Sequence, residues 1–254
     1  MKNAWNIAWR DYKSYFTSPI AYIVIAGFLT IMGWMFFNNL SYFNLQNMQY
    51  QQFNMGKGVS ITEGILRPLY GNMNVILLFL VPFITMRLLA EERKQHTLEL
   101  LMTSPIRLWE IVLGKFLSAA MLVKTMLLLT LVYPIILFMT GNPDIGPVFT
   151  SYVGTSLLAA CYLALGVLFS SMTENQIVAG ALTFSVGLFF WLISWAAQNS
   201  GPVWSDILTY LSLIGHYNNF SQGILNTSDI FYYLSFAGIC LYLTHRVLDS
   251  YRWR

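Results

Sequence analysis

The stretch EERKQHTLELLMTSP, residues 91–105, is the most polar run of the chain, and long apolar runs lie on both sides of it. Six charged or titratable residues fall within nine positions: Glu91, Glu92, Arg93, Lys94, His96 and Glu99. Leu98, Leu101 and Met102 have the spacing of one helix face, and Pro105 ends the pattern. Thr97 is placed to cap the helix, and a carboxylate at position 99 suits its first turn. The segment therefore predicts a short helix with an apolar face and charged flanks.

Two interpretations of this segment follow from the residues alone. The preceding run, FITMRLLAEERKQ, predicts that the helix of an apolar span continues into the polar segment. The run IRLWEIVLGK predicts a new helix after residue 105. A short helix held between two membrane helices could insert into a groove on a soluble protein. It could equally be a solvated loop helix, and both interpretations remain open at this point.

The composition of the chain predicts its class. Of 254 residues, 56% are hydrophobic and only 10% are charged, whereas a soluble domain carries about 25% charged residues. A membrane-spanning helix needs roughly 20 mostly apolar residues, and six segments qualify: 19–37, 74–90, 116–139, 148–172, 177–197 and 230–244. We therefore predict an all-α polytopic membrane protein, a single domain over residues 1–254 with six transmembrane helices.

Two polar regions lie between the predicted spans. The segment 203–226 is broken by polar residues, which favours an interfacial or re-entrant helical piece over a seventh span. The segment 38–72 is rich in Asn and Gln, and its apolar residues follow neither a helix period nor a strand period. We expect it to form a long loop folded over the outer mouth of the bundle.

Lysine and arginine predict the orientation of the chain. With six spans, eleven of the 14 basic residues share one side: Lys2, Arg10, Lys13, Arg87, Arg93, Lys94, Arg107, Lys115, Arg246, Arg252 and Arg254. Only Lys57 and Arg67 fall on the other side, and Lys124 lies within a span. Basic residues concentrate in cytoplasmic loops, so both termini and the segment 91–115 are predicted to be cytoplasmic.

The first 18 residues predict an amphipathic helix before the first span. On a helical wheel one face holds Trp5, Ala8, Trp9, Tyr12 and Phe16, and the other holds Lys2, Asn6, Arg10, Lys13 and Ser14, with Ile7 as the exception. Aromatic residues facing lipid headgroups and cations facing anionic lipid are typical of interfacial helices. The helix is either a simple membrane anchor or an elbow helix that helps to seat a partner, with Ser18 and Pro19 turning the chain into the first span.

The residues carry no recognisable catalytic or metal-binding motif. No phosphate-binding loop of the form GxxxxGK[ST] is present, the three histidines are scattered, and the two cysteines fall in apolar runs. Lys124 is the one clear charge inside a span, and it either extends toward the interface or lies near a transport path. Such sparse intramembrane charge argues against an ion-coupled carrier, so a transporter of this kind would draw its energy from another chain.

The segment MRLLAEERKQHTLELLMTSPIRLWEIVLGKFLSA, residues 86–119, resembles a pattern of ABC-2 type transporter permeases. That pattern reads E-E-[KR]-x-x-x-T-L-E-L-L-x-x-x-P followed by I-V-x-G-K. Two further stretches, YFTSPIAYIVIAGFLTIMGWMFF and SSMTENQIVAGALTFSVG, are similar to the versions linked to gliding motility. The resemblance spans most of the chain and is weakest in the outer loops.

The resemblance implies a fold and a set of partners. Such permeases have six spans, cytoplasmic termini in the bacterial inner membrane, an N-terminal amphipathic elbow helix and a cytoplasmic coupling helix. They pair as homodimers or with a paralogue and bind separate ABC ATPase subunits, which carry ATP and Mg, so no cofactor is expected on this chain. An extracytoplasmic accessory protein and membrane lipid are further expected partners, and nucleic acid is not. By position, the coupling segment comprises Glu91, Glu92, Thr97, Leu98, Glu99, Leu100, Leu101, Met102 and Pro105, with 97–103 entering the ATPase groove.

Two functions from different classes fit these expectations. The first is a permease subunit of an ATP-driven exporter, not itself an enzyme, that couples ATP hydrolysis on its partners to movement of a substrate. The second is a non-transporting membrane scaffold of a motility or envelope complex that has the same fold. Substrate-stimulated ATPase activity of the reconstituted complex separates them.

Overall fold

The structure is a computed structural model that describes residues 2–52, 60–98, 106–198 and 202–251, and the regular elements of these ranges are helices. In chain order they are α1 (Lys2–Thr17), α2 (Pro19–Gln52), a π-helical turn (Thr62–Leu66), α3 (Arg67–Thr85), α4 (Ala90–Lys94), α5 (Leu108–Leu129), α6 (Val132–Thr140), α7 (Ile145–Met172), α8 (Gln176–Gln198), α9 (Pro202–Leu211), α10 (Leu213–Ser221) and α11 (Thr227–Tyr251). The prediction of an all-helical chain is confirmed for the described residues.

Five helical stretches of the described chain are long and apolar enough to cross a membrane. They are Ala21–Tyr50, Thr62–Lys94, Leu108–Thr140, Ile145–Met172 and Gln176–Ala196, and each contains or overlaps one of the first five predicted spans. The sixth predicted span, 230–244, lies inside α11, which is not among the five. The helix α11 carries four tyrosines, a histidine and an arginine, and these lower its hydropathy.

The helix α7 forms the centre of the bundle, because it packs against α3, α5, α8, α10 and α11. Within its apolar window 72% of the residues are buried, compared with 17% for the peripheral helix α2. Glycines of α7 allow close contacts: a Cβ added at Gly154 would lie 2.7 Å from the Phe220 side chain of α10. At Gly166 an added Cβ would lie 2.1 Å from Thr85 Oγ1 of α3.

Contacts between distant residues define two ends of the bundle. At the first, which we name the α4 end, Arg93 contacts the turn after α7 and the last turn of α11. At the opposite end, named the α10 end, the amide of Asp144 donates to Thr62 Oγ1 at 2.9 Å. There the hydroxyl of Thr150 also donates to the carbonyl of Phe220 at 2.6 Å. Because α11 has contacts at both ends, it runs the full length of the bundle.

The prediction of a loop over residues 38–72 is wrong for much of that segment. The helix α2 continues to Gln52, and its 34 residues correspond to about 51 Å at 1.5 Å per residue, well beyond a hydrocarbon core of about 30 Å. Helix resumes before α3, and Leu66 and Leu69 are fully buried there. In the outer half of α2, residues 36–50 are exposed or half-buried, so no fully buried face imposes a helix period on the apolar residues.

The segment 203–226 contains two short helices, α9 and α10, as its interrupted hydropathy predicts. Ser212 separates them, and its Oγ accepts a hydrogen bond of 3.1 Å from the amide of Gly215 at the start of α10. This is the usual arrangement of a helix N-cap. Neither helix is among the five membrane-crossing candidates.

Candidate functional site

The polar segment 91–105 begins in α4, and Ser170 of α7 is bonded to the turn that precedes α4. Helix α3 ends at Thr85, and the chain turns through Met86–Leu89 into α4. The amides of Leu89 and Ala90 both donate to Ser170 Oγ at 3.0 Å, and Ser170 in turn donates to the carbonyl of Met86 at 3.2 Å. These bonds satisfy the backbone groups that the break in the helix leaves without helical partners.

A cluster of three charges joins α4 to α5 and α1. Lys115 Nζ lies 2.9 Å from Asp11 Oδ2 and also forms an ion pair with Glu92 Oε1. The three side chains are only 6%, 13% and 17% exposed for Lys115, Asp11 and Glu92. Charges that leave water at this depth need a close partner of opposite sign, so the ammonium group holds the two carboxylates, and their helices, together.

Arg93 joins the other side of α4 to the rest of the bundle. Its guanidinium donates to the carbonyl of Ser171 at 2.9 Å and to the hydroxyl of Tyr251 at 3.0 Å, and its Nη2 lies 3.2 Å from Glu174 Oε1. The guanidinium carbon also lies 4.2 Å from the centre of the Tyr251 ring. The planar guanidinium group can make several directed contacts at once, and here they reach the turn between α7 and α8 and the end of α11.

The helix α1 packs closely along α5. A Cβ added at Gly114 would lie 2.8 Å from Ile7 Cγ2 and 3.1 Å from the carbonyl oxygen of Ala4, so the glycine permits this approach. About three helical turns beyond Gly114 on α5, Thr125 shares a hydrogen bond of 2.9 Å with Tyr12 through their hydroxyl groups. The predicted helix before the first span is therefore a fixed part of the bundle, with a bend at Ser18.

The predicted faces of α1 need a correction. Ile7, the exception on the polar face of the wheel, is buried against α5 together with Ala4 and Ala8. Trp5 and Trp9, assigned to the apolar face, remain 55% and 44% exposed and begin a row of contacting rings that continues through Tyr12, Phe16 and Tyr22. The helix thus has a buried face, an aromatic face and a polar face. The buried face packs against α5, and the other two lie on the surface of the protein.

The structure describes only part of the predicted coupling segment. Glu92 lies in the charge cluster, Glu91 is half-buried and accepts a 3.4 Å hydrogen bond from Gln95, and Leu98 is buried. The remaining predicted residues, Glu99, Leu100, Leu101, Met102 and Pro105, lie outside the described residues. Thr97 Oγ1 donates to the carbonyl of Glu92 at 3.2 Å, so its observed bond closes the end of α4.

A reversal of the backbone follows α4. His96 has φ of 57°, in the left-handed region, where His is found more often than most non-glycine residues. This residue ends α4 before the chain becomes helical again at Thr97. The sequence predicts one continuous helix through residue 95, whereas the structure has α3, a turn, α4 and this reversal.

Lys124 lies on the surface of the described chain. Its side chain is exposed on α5 and borders a shallow groove of about 180 Å³ between α5 and α7, lined largely by small residues such as Ala120, Ser156 and Ala160. Lys124 forms no ion pair with a residue of the described ranges. The structure therefore gives its position, and its predicted role near a transport path stays a prediction.

Several residues of this region were not predicted from the sequence. Asp11, Ser170, Glu174 and Tyr251 each contact α4 or Lys115, and all are distant from it along the chain. For Asp11 a signal was present, because it shares a helix face with Ala4, Ile7 and Ala8. The others are polar residues at helix ends, which sequence spacing does not connect.

A second buried polar cluster, at the α10 end, was also missed. His216 Nδ1 lies 2.6 Å from Asp229 Oδ1, His216 Nε2 lies 2.9 Å from the carbonyl oxygen of Tyr210, and Asn219 donates to Asp229 Oδ2 at 2.8 Å. This cluster links α9 and α10 to the start of α11.

Taken together, the contacts make α4 a mechanical connection between distant helices. Glu92 links it to α5 and α1 through Lys115, and Arg93 links it to α7, to the turn before α8 and to α11. A displacement of α4 relative to the bundle would have to move these helices with it or break the ion pairs of Glu92 and Arg93. The arrangement is suited to transmitting motion between the segment 91–105 and the bundle.

Comparison with known proteins identifies the family. The sequence profile of the ABC-2 family transporter proteins matches residues 5–247. The chain is also 27% identical over 146 residues to "Probable multidrug ABC transporter permease YbhR" of Escherichia coli, in strain K12 and in O157:H7. That match covers 57% of this chain and 39% of the relatives, so it spans about two fifths of their length. Because the profile match extends over nearly the whole chain, the protein belongs to the ABC-2 family transporter proteins.

Proposed function

We propose that the chain is the transmembrane permease subunit of an ATP-driven ABC exporter and that ATP, with Mg, is hydrolysed on separate ATPase subunits. Residues 91–105 are the coupling segment in this proposal, and residues 97–103 enter a groove of the ATPase. The observation that carries the proposal is the double attachment of α4. Glu92 attaches it to α1 and α5 through Lys115, and Arg93 attaches it to α7, to the turn before α8 and to α11.

The proposed mechanism follows from that attachment. ATP binding closes the two partner ATPases and displaces the coupling segment of each permease. The helix α4 then passes the displacement to the helices bonded to Glu92 and Arg93, and a path between two permeases changes shape. The exposed position of Lys124 on α5 is compatible with a location beside that path, since a charge on a lipid-facing surface is costly.

The proposed topology has six crossings, with both termini in the cytoplasm of a bacterial cell. Five helical stretches of the described chain satisfy the length and composition of a span, and α11 runs parallel to them from one end of the bundle to the other. The distribution of Lys and Arg supports a cytoplasmic α4 end. In this orientation α1 is the elbow helix, with the exposed Trp5 and Trp9 at headgroup level.

Simultaneous substitution of Leu100→Ala and Leu101→Ala tests the proposal. We expect these changes to release the ATPase from detergent-solubilised permease, because truncating central interface residues typically costs about 2 kcal/mol or more, roughly a 30-fold loss of affinity. The measurement is co-purification of the ATPase with the permease.

The matched control is Ile224→Ala with Leu225→Ala, two exposed apolar residues at the α10 end. The thermal unfolding temperature of each variant, measured without ATPase, separates a lost contact from a lost fold. Unchanged co-purification and unchanged ATPase coupling for the Leu100 and Leu101 variant would return the segment to the solvated-loop interpretation.

The scaffold function is the second candidate, and it uses the same attachment of α4 without transport. A reconstituted complex whose ATPase activity rises with a transported substrate supports the exporter. An ATPase that binds the permease but responds to no substrate supports the scaffold.

The finer assignments are expectations within this proposal. Pairing with a second permease, identical or paralogous, follows from the family resemblance, and the gliding-motility subgroup rests on the two sequence stretches quoted above. For an extracytoplasmic accessory protein, α2 offers a surface: Trp34, Phe37, Tyr42, Leu45 and Met48 are exposed along one side of its outer half.

A further inference from the structure

A cavity of about 580 Å³ lies at the α4 end between α1, the start of α2, the end of α3, α4 and α5. Its volume is within the roughly 300–1,000 Å³ of small-molecule binding sites, and it is too large for a single ion or water. The cavity borders the proposed coupling segment at Thr97, and it shares Glu92 and Lys115 with the charge cluster.

The two halves of the cavity differ in chemistry. One half is apolar and includes Ala21, Val24, Leu80 and Leu122. The half toward α4 is polar and is lined by Asp11, Tyr15, Arg87, Glu91, Glu92 and Lys115. A ligand that fills both halves must therefore be amphipathic, with its polar group at the α4 end and its apolar part along α2 and α3.

The charges of the polar half indicate the kind of headgroup. Three carboxylates face two cations there, and Lys115 already holds Asp11 and Glu92. Glu92 Oε2 is buried and has no hydrogen-bond partner among the described residues. A buried carboxylate oxygen without a donor is costly, and a ligand with an ammonium group would supply that donor.

Two further groups are suited to a phosphate. Arg87 lines the same half and forms no ion pair with a described residue, so its guanidinium group is available to an anion. The hydroxyl of Tyr15 is buried beside that of Ser118 and borders the same half of the cavity. Burial raises the pKa of Tyr15 above its usual value, so the hydroxyl stays neutral and can donate a hydrogen bond to a phosphate or ester oxygen.

We propose that this cavity binds a membrane phospholipid with a primary-amine headgroup, of the phosphatidylethanolamine type. The ammonium group donates to Glu92, the phosphate lies toward Arg87 and Tyr15, and the first part of the acyl chains lies along Val24 and Leu80. The lipid then fills the space between α1 and α4. This site does not depend on ATP-driven transport, because it requires only that the chain lies in a membrane.

The proposed headgroup contacts predict that phospholipids with different headgroups bind with different affinities. A quaternary choline group carries a similar charge but has no N–H to donate to Glu92. Phosphatidylglycerol has no ammonium group, so the negative charge of its phosphate would face the three carboxylates without compensation. We therefore expect phosphatidylethanolamine to be retained about tenfold more than phosphatidylcholine or phosphatidylglycerol of the same acyl composition, the scale of one hydrogen bond to a charged group.

The experiment is native mass spectrometry of the full-length chain after exchange into each of the three lipids. Glu92→Gln should reduce the preference for phosphatidylethanolamine over phosphatidylcholine about tenfold, to near equality. Val24→Trp, which fills the apolar half, should abolish retention, and Leu80→Phe is a second variant of the same kind. Ile23→Trp is the matched control, because the neighbouring Ile23 is 68% exposed and does not line the cavity.

Three results would overturn the proposal. The first is equal retention of the three lipids by the unaltered chain, and the second is unchanged retention in both Val24→Trp and Leu80→Phe with thermal stability equal to that of Ile23→Trp. The third comes from dodecylamine, which has the amine and an alkyl chain but no phosphate. If it binds as tightly as phosphatidylethanolamine, the cavity takes amine amphiphiles in general, and the phospholipid assignment fails.

Discussion

Two lysines of α5 lie in opposite environments. Lys115 is buried and paired with Asp11 and Glu92, whereas Lys124 is exposed on the surface of the bundle. Removing Lys115 leaves two carboxylates close together without a counter-ion, and breaking a buried pair by removing one partner is strongly destabilising. Lys115 is the lysine of the I-V-x-G-K pattern. Its ammonium group is the point at which α1, α4 and α5 meet, which gives the lysine a structural role.

We predict that Lys115→Met destabilises the protein by about 3 kcal/mol and lowers the thermal unfolding temperature in detergent by about 10 °C. Lys124→Met, the matched control, should leave the unfolding temperature unchanged, because its side chain has no ionic partner in the described chain. Fluorescence-monitored thermal unfolding of both variants measures the difference. Equal stability of the two variants would contradict the structural role of the charge cluster.

At the scale of elements, the contact between α1 and α5 depends on a glycine. The backbone of α1 approaches Gly114 so closely that any side chain there would meet Ile7 and Ala4. The same approach brings Asp11 within reach of Lys115. The position of α1 is therefore determined by one small residue and one ion pair, and the aromatic face of the helix is left exposed.

Gly114→Ala tests this close packing. We expect it to destabilise the protein by about 1–3 kcal/mol, as is typical of overpacking, because the added Cβ forces α1 away from α5. Gly27→Ala on α2 is the control, since nothing lies within 4 Å of a Cβ added there. That change should be neutral or stabilising by up to about 1 kcal/mol, because alanine favours helix.

A readout specific to α1 separates a local from a global effect. Displacement of α1 should increase trypsin cleavage after Arg10 or Lys13 in Gly114→Ala and leave it unchanged in Gly27→Ala. If Gly114→Ala retained both its stability and its protection from trypsin, the close contact of α1 with α5 would be wrong.

For the whole molecule, the contacts at its two ends make the topology testable. The α4 end collects α1, α4, the turn after α7 and the last turn of α11, while the α10 end collects Thr62, Asp144 and the start of α11. Whichever side of the membrane holds one of these groups must hold the others at the same end. The excess of basic residues predicts that the α4 end is cytoplasmic.

Single-cysteine labelling in intact cells checks this orientation. In a chain with Cys161 and Cys240 replaced by alanine, we expect Gln95→Cys at the α4 end to resist a membrane-impermeant maleimide until the cells are opened. Asn226→Cys at the α10 end should react from outside, because both positions are exposed in the structure. Labelling of position 95 from outside only would reverse the topology and remove the basis for a cytoplasmic ATPase contact.

The sequence by itself determined the helical membrane class, five of the predicted spans, the helix before the first span and the polar segment between the second and third spans. These features are local, because the length of an apolar run, a proline at a helix start and a dense group of charges can each be read within about twenty residues. The family resemblance was also contained in such local motifs. The Asn- and Gln-rich half of α2 was wrongly predicted to be a loop. A helix without a buried face does not need apolar residues at helical spacing, so its sequence carries no helix period.

Only the tertiary structure decided how the polar segment is held and which face of α1 is buried. Arg93 and Glu174 are 81 positions apart, and Tyr12 and Thr125 are 113 apart, so no local pattern relates them. A helical wheel shows that α1 has distinct faces. Which face packs against the bundle depends on the neighbouring helix, and here the side of Ile7 packs against Gly114 of α5. Charge partners and close helix contacts are properties of the packed bundle, because desolvation and steric fit arise only when distant segments meet.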